Sequence, residues 1–397
     1  MTEFSALSNG GPLLEGDKLL VARPNTDGFD PLKLDPQQVL DYIKTRNHFL
    51  GDFSKWNTAK GRGASSPARL LFLGDSIVQG HGANSGSDLF TKGFARYFAN
   101  NFSWLFGSIY GNQNVTTSMG TYEVYNPDVA SSAWAFGASA DDIIGGRFFR
   151  MGSGGTGDLT WTPPETFDTL IFVYPQLSGL GSVDVIVDGT TIDTVNENGS
   201  TACGVKTYTG LGHSTHTVVI RGTSVSGDVY VSALEMQDRT TGEPVYIQGG
   251  QAGAKATDLI NNSNAYNAYN EMDVLNFDYA FVFCTVNDVN SNTTDSDYYT
   301  SIETLVDKLN ETANGCLMFG FPLDAASTRS GTSVVYEEAL KHIAMDHGWS
   351  FFDARDVFGH SFVNATRLSL KYDSLHPNEA GHQALAAALY AFIGPSL

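Results

Sequence analysis

The chain of 397 residues is poor in cysteine and in basic side chains. Its three cysteines, Cys203, Cys284 and Cys316, are odd in number, far apart and in no metal-ligand spacing. That excludes a disulfide framework and a cysteine-bound zinc site, and leaves them as small buried hydrophobes. Lysine and arginine number 23 against 43 acidic residues, for a formal charge of -20. Such a surface repels a phosphate backbone and anionic lipid, so neither nucleic acid nor membrane is expected as a partner. The acidity itself is read as a solubility device that says nothing of mechanism. No run of about 18 apolar residues occurs, and the segment from Met1 to Gly10 lacks a basic region followed by an apolar one. The expectation is a protein made in a cytoplasm and not exported by a standard signal.

What is present is ordinary globular material, 42% hydrophobic and 12% aromatic, with 42 glycines that imply many turns. The length predicts two or three domains. Gly16 to Pro24 reads as a short strand, Asn25 to Asp30 as a turn, and Leu34 to Ile43 as a helix with Asp35 at its N-cap and Pro36 at its first position. The run from Arg69 to Leu73 is an apolar strand that ends in Gly74-Asp75-Ser76, and Asp88 to Phe106 repeats at helical spacing. From about 111 to 244 the pattern changes to alternating strands, among them 169–174, 182–187, 216–221 and 228–234. An antiparallel β-sandwich inserted into an α/β domain is predicted. Strands at 244–248, 279–284, 315–321 and 350–353 then alternate with helices near 255, over 297–311, 333–347 and 379–393. This implies a parallel sheet flanked by helices, with functional loops at the strand C-termini.

Four polar groups fall at such places: Ser76, Gly253, Asn287, and Asp373 with His376. A serine hydroxyl becomes a nucleophile only when a base takes its proton, and an imidazole held in one tautomer by a carboxylate is the usual means. Asp373-Ser374-Leu375-His376 supplies both partners in one loop. The backbone N–H groups of Ser76 and Gly253 and the side-chain amide of Asn287 can serve as oxyanion donors. Other candidates carry less. Asp288 to Asn292 begins like a calcium loop, but Thr293 stands where glycine is needed and Tyr299 where an acid is needed. His213 and His216 read as strand-edge residues, and the glycines at 152, 154, 155 and 157 as a flexible connection.

At this point the chain resembles the SGNH (GDSL-like) hydrolases. Phe72-Leu-Gly-Asp-Ser-Ile-Val-Gln-Gly80 looks like block I of that family, Gly250-Gln-Ala-Gly253 like block II, Val286-Asn-Asp288 like block III, and Asp373-Ser-Leu-His-Pro377 like block V. All four occur in the family's order, over about 65 to 110 and 245 to 397. The resemblance implies Ser76 as nucleophile, Gly253 and Asn287 as oxyanion donors, and His376 as base oriented by Asp373, with no cofactor and no metal. One departure stands out: Thr285 takes the place of the glycine that usually opens block III, which bears on how closely substrate approaches.

The insert resembles the jelly-roll, carbohydrate-binding-like domains of polysaccharide esterases, and its plainer alternative is a cleft wall or oligomer support. The segment 1–50 looks like the short leaders of phage tail and tail-fibre proteins, with an N-terminal embellishment as its alternative. Together these imply an O-deacetylase of a bacterial surface polysaccharide, attached to a virion tail through residues 1–50, where a homotrimer would suit. Outside a phage the location would be cytoplasmic, or outside the cell after lysis. A lipase or thioesterase, and a non-catalytic glycan-binding tail or adhesion protein, remain as alternatives.

Overall fold

The computed structural model describes residues 19–25, 28–34, 48–83, 92–102, 105–106, 108–110, 114–117, 120–123, 129–131, 134–136, 143–146, 148–223, 226–320 and 332–397. Six strands form one sheet: β1 (Arg69–Gly74), β2 (Leu105–Phe106), β3 (Val245–Gly250), β4 (Tyr279–Phe283), β5 (Asn314–Phe319) and β6 (Ser350–Asp353). Their order is β6-β5-β4-β1-β3-β2 and every pair is parallel. A strand covered on both faces reads as a continuous apolar run, and β1 is buried along its whole length. Phe72 at its centre stacks on Phe281 of β4 at 4.5 Å and meets Phe94 and Phe98 edge-on at 5.6 Å each. Those two come from the helix Phe94–Asn100, which packs beside the C-terminal helix Glu379–Ile393.

From β1 the chain adds β2 and β3 on one side and then β4, β5 and β6 on the other. The order reverses at β1, and the crevice at the strand C-termini opens there. The expected strands and the helices after β4 appear with ends shifted by a few residues, as in Asp295–Asn310 and Thr332–Asp346. Thr294 starts the first of these by accepting from the Asp297 N–H at 3.1 Å.

Between the two stretches of parallel sheet lie, among the described residues, two larger antiparallel sheets and two small ones, 229–231 with 149–151 and 135–136, and 114–117 with 120–123. One of the larger has the order 190–196, 182–187, 218–222, 157–161, 129–131, and the other 202–214, 167–176, 233–237, 108–110. Ser182–Val187 and Val218–Gly222 bury mainly alternate residues, so their sheet has a wet face, whereas Phe167–Gln176 is buried almost throughout. Trp161 of the first sheet stacks on Phe167 of the second at 6.3 Å, which closes the layer between them.

Some elements differ from expectation. Leu19–Asn25 and Gly28–Leu34 pair as strands from Asn25 with Gly28 outward, so the expected turn over 25–30 is shorter than its bounds; of the helix expected over 34–43, Leu34 ends a strand and the rest lies outside the described residues. The helix expected over 88–106 is described as Phe94–Asn100. It stops where Asn101 Nδ2 turns back to the carbonyls of Tyr97 and Phe98, and Leu105–Phe106 pairs with β3 instead. Ser108–Tyr110 pairs with Ala233–Glu235, so the antiparallel part starts before residue 111. Residues 48–62 belong to the parallel-sheet core: Phe49 bridges to Phe351, and Trp56 is wholly buried with its Nε1 donating to the Leu397 carbonyl at 3.0 Å. Among the described residues no helix is long and apolar enough to cross a membrane.

Arg69, at the start of β1, reaches across to Glu235 of the antiparallel sheet, with Nε 3.1 Å from Oε1 and the second guanidinium nitrogen on Oε2. The Glu235 side chain is fully buried. Removing one member of a buried pair leaves the other charge uncompensated, so Glu235→Ala is expected to lose about 3–5 kcal/mol of stability. A urea unfolding midpoint equal to that of the wild type would show that the pair does not hold the two parts together.

Candidate active site

β1 ends against β4 at Gly74, where a Cβ would lie 2.1 Å from the Phe283 carbonyl oxygen. Any larger residue would push the strands apart at the crevice. Asp75 follows as the N-cap of the short turn Ser76–Gln79, its Oδ1 accepting from the Ile77 N–H at 2.8 Å. Ser76 is only 6% exposed, and its Oγ lies 2.8 Å from Nε2 of His376.

His376 is presented by a tight loop. The isolated bridge Lys371–Pro377 closes it, and Asn378 caps the C-terminal helix by accepting from Gly381 N–H at 2.9 Å. Asp373 Oδ1 accepts from the backbone N–H groups of Leu375 and His376 at 2.7 and 2.8 Å, and its Oδ2 lies 2.9 Å from His376 Nδ1. Burial tends to raise the Asp373 carboxyl, but the His376 ring and the two backbone donors outweigh it and hold the group at about 2. A carboxylate in that position keeps the proton of the neutral ring on Nδ1, which turns the Nε2 lone pair toward the Ser76 hydroxyl.

The donor side is wired separately. Gln251 N–H donates to the Gly74 carbonyl at 2.8 Å, tying the loop after β3 to the end of β1. Gly253 is exposed with φ +82°, a left-handed conformation that suits glycine. Asn287, in the short helix Val286–Ser291, gives one amide hydrogen to the Ala254 carbonyl at 2.9 Å, and Asp288 accepts from Ala256 N–H at 3.0 Å. Among the described residues, the N–H groups of Ser76 and Gly253 donate to no protein acceptor. Two backbone donors and the second amide hydrogen of Asn287 are therefore available to an oxyanion. Thr285 is 1% exposed, so its side chain is turned into the core and does not narrow the crevice.

The sequence reading missed His81 and His382. The His81 ring lies 4.1 Å from that of His376, and the His81 backbone N–H donates to the Ser76 carbonyl at 2.9 Å. Burial, aided by the charge of His376, depresses its ring to about 4, so it stays neutral beside the base. His382, wholly buried, sits within hydrogen-bond reach of the Phe94 N–H and the His81 carbonyl, and burial depresses it to about 4 as well. Their only signal was position: His81 follows the nucleophile segment and His382 falls in the first turn after Asp373 and His376. Beneath the site, burial raises Asp75 to about 7 and Asp288 to about 6.

The segment 286–291, where the sequence begins like a calcium loop, is a short helix. His213 pairs with Asp238 at 2.9 Å and His216 with Asp188 at 2.7 Å, both within the antiparallel part. Among the described residues, two groups of side chains have metal-like spacing, His81 with Asp373 and His376, and Asp353 with Asp356 and His360. The first is accounted for by the serine relay. In the second, Arg355 holds Asp353, while His48 and His360 hold Asp356.

The family model that matches this chain is the GDSL-like lipase/acylhydrolase family, over residues 211–384. That span includes Gly253, Asn287, Asp373 and His376, and starts beyond Ser76. Among solved structures, a peptidoglycan O-acetylesterase is similar at 16% identity and a TM-score of 0.61, with 87% of this chain and 97% of that one covered. Coverage of this extent requires the antiparallel sheets as well as the parallel one. An acetylxylan esterase from Geobacillus stearothermophilus matches at 20% identity and a TM-score of 0.31, over 38% of this chain and 74% of its own. Among curated proteins, none matches.

Asp373→Asn is expected to lower kcat for ester hydrolysis by about 10⁴, since an amide no longer fixes the histidine tautomer. Asn287→Ala is expected to lower kcat by about 10² to 10³ with a much smaller change in KM, because its donor acts on charge that develops in the transition state. Steady-state kinetics on a short-chain ester test both. A loss confined to KM would remove Asn287 from the oxyanion site.

Proposed function

We propose that this hydrolase of carboxylic esters, which carries a GDSL-like lipase/acylhydrolase domain, is a serine O-deacetylase acting on a bacterial surface polysaccharide. The observation that carries the reading is the line Ser76 Oγ, His376, Asp373, at 2.8 and 2.9 Å, beside open N–H donors. The similarity in fold to a peptidoglycan O-acetylesterase, extending through the antiparallel sheets, supports a glycan as bearer of the ester. It makes O-acetylated peptidoglycan the first substrate to try.

Ser76 Oγ attacks the acetyl carbonyl while His376 Nε2 takes the hydroxyl proton. The oxyanion rests on the N–H groups of Ser76 and Gly253 and the amide of Asn287. Collapse breaks the bond to the sugar oxygen, which receives the proton from His376 and departs as a hydroxyl group. Water then gives a proton to His376, attacks the acetyl-serine, and acetate leaves as the proton returns to Ser76. Each half reaction begins and ends with neutral histidine and ionised Asp373.

The antiparallel part, read as a carbohydrate-binding-like jelly roll, would hold the polymer near the crevice. The leader 1–50, of which Leu19–Asn25 and Gly28–Leu34 form a hairpin, would attach the enzyme to other tail proteins of a virion, with a homotrimer as the assembly suited to that position.

Acetate released from O-acetylated bacterial glycan, compared between wild type and Ser76→Ala, tests the reading. Release is expected from the wild type alone, and release that persists in the variant would rule out the serine mechanism. Nitrophenyl esters of rising chain length separate a deacetylase, with activity falling beyond acetate, from a lipase or thioesterase.

A further inference from the structure

Tyr372 immediately precedes Asp373 and is 44% exposed, among the large apolar or aromatic side chains left facing solvent. Its position is set by backbone pairing. Lys371 and Pro377 bridge in antiparallel fashion, and Tyr372 N–H donates to the His376 carbonyl at 2.9 Å. Tyr372 and His376 are thus opposite residues of a two-sided turn, and opposite residues send their side chains to the same face. The turn rests on Gly82, where φ is +90° and a Cβ would lie 2.9 Å from Tyr372 Cβ and 3.2 Å from His376 Cβ. His81 lies between the two rings, edge to face with Tyr372 at 6.0 Å and tilted on His376 at 4.1 Å. The three rings form a row running from the base outward to solvent.

The chemistry places the leaving alcohol on that side. His376 must protonate the departing oxygen, so the alcohol lies next to the histidine loop, while the carbonyl oxygen points to the donors of Gly253 and Asn287. A sugar leaving group held there extends along the row of rings toward Tyr372. Aromatic rings carry a negative face, and a pyranose offers one face made of polarised C–H groups. We infer that the Tyr372 ring is the platform on which the sugar ring bearing the ester stacks. The inference rests on the deacetylase reading and names the subsite that would make it selective for glycans over simple acetates.

The test compares kcat/KM on O-acetylated peptidoglycan fragments with kcat/KM on butyl acetate, whose leaving alcohol has no ring, in wild type, Tyr372→Ala and Tyr372→Phe. The glycan-to-butyl ratio is expected to fall about tenfold in Tyr372→Ala, mainly through KM, and to recover in Tyr372→Phe, which keeps the ring. An unchanged ratio in Tyr372→Ala, with the wild type active on both esters, overturns the platform and leaves the deacetylase intact. A wild type that hydrolyses butyl acetate and releases no acetate from the glycan overturns the deacetylase reading and the platform together.

Discussion

The close approach of β1 and β4 at Gly74 is the constraint on which the site depends. With no side chain between Gly74 and the Phe283 carbonyl, two parallel strands run side by side to their last residues, and the chain turns upward from both at the same level. Ser76 then rises from one strand and Asn287 from the other, while Gln251 binds the Gly74 carbonyl and brings the loop after β3 to the same spot. The topology supplies the rest. Because the strand order reverses at β1, loops from both sides of it meet over one crevice, and no long excursion of chain is needed to bring Ser76, Asn287 and the loop of Gly253 to it.

Electrostatics then sort the ionisable groups by depth. Asp373, near the surface and supplied with three donors, is held at about 2 and remains the fixed negative charge of the relay. Asp75 and Asp288 lie deeper, where burial disfavours charge and raises them to about 7 and about 6. His81, half-buried, and His382, wholly buried, are pushed the other way, both to about 4, so neither ring adds positive charge beside His376. The same burial that favours neutral carboxyls beneath the site favours neutral rings beside it, leaving Asp373 as the group whose donors overcome desolvation.

The alternation of apolar runs and amphipathic stretches was enough to read the parallel sheet, and the polar residues at strand ends were enough to single out Ser76, His376 and Asp373, which lie within hydrogen-bond distance of one another in that order. What escaped was whatever depended on partners distant in sequence. Gly28–Leu34, with Pro31 and two aspartate or lysine positions among its seven residues, has no strand signature of its own and becomes a strand by pairing with Leu19–Asn25. Leu105–Phe106 continues a helical pattern, yet the edge of β3 claims it. His81 carried no motif, since its place beside the site comes from contact with a ring 295 positions later in the chain. The orientation of Thr285 into the core was equally beyond sequence, because it depends on backbone direction at the start of a helix.

The antiparallel part is built into the site's support. Ile144 N–H donates to the buried Glu271 carboxyl group at 2.7 Å, which anchors the segment 143–146 to the helix Ala268–Leu275 of the α/β part. At the other end of that segment Gly146, with φ +85°, lies so close to Gln251 that a Cβ would come within 2.6 Å of its side chain. Gln251 is the residue that ties the Gly253 loop to β1. Burial raises Glu271 to about 8, so near neutrality it accepts this hydrogen bond largely as a carboxylic acid, without the cost of an unpaired buried charge. The segment 143–146 thus packs against both the helix Ala268–Leu275 and the loop that carries Gln251.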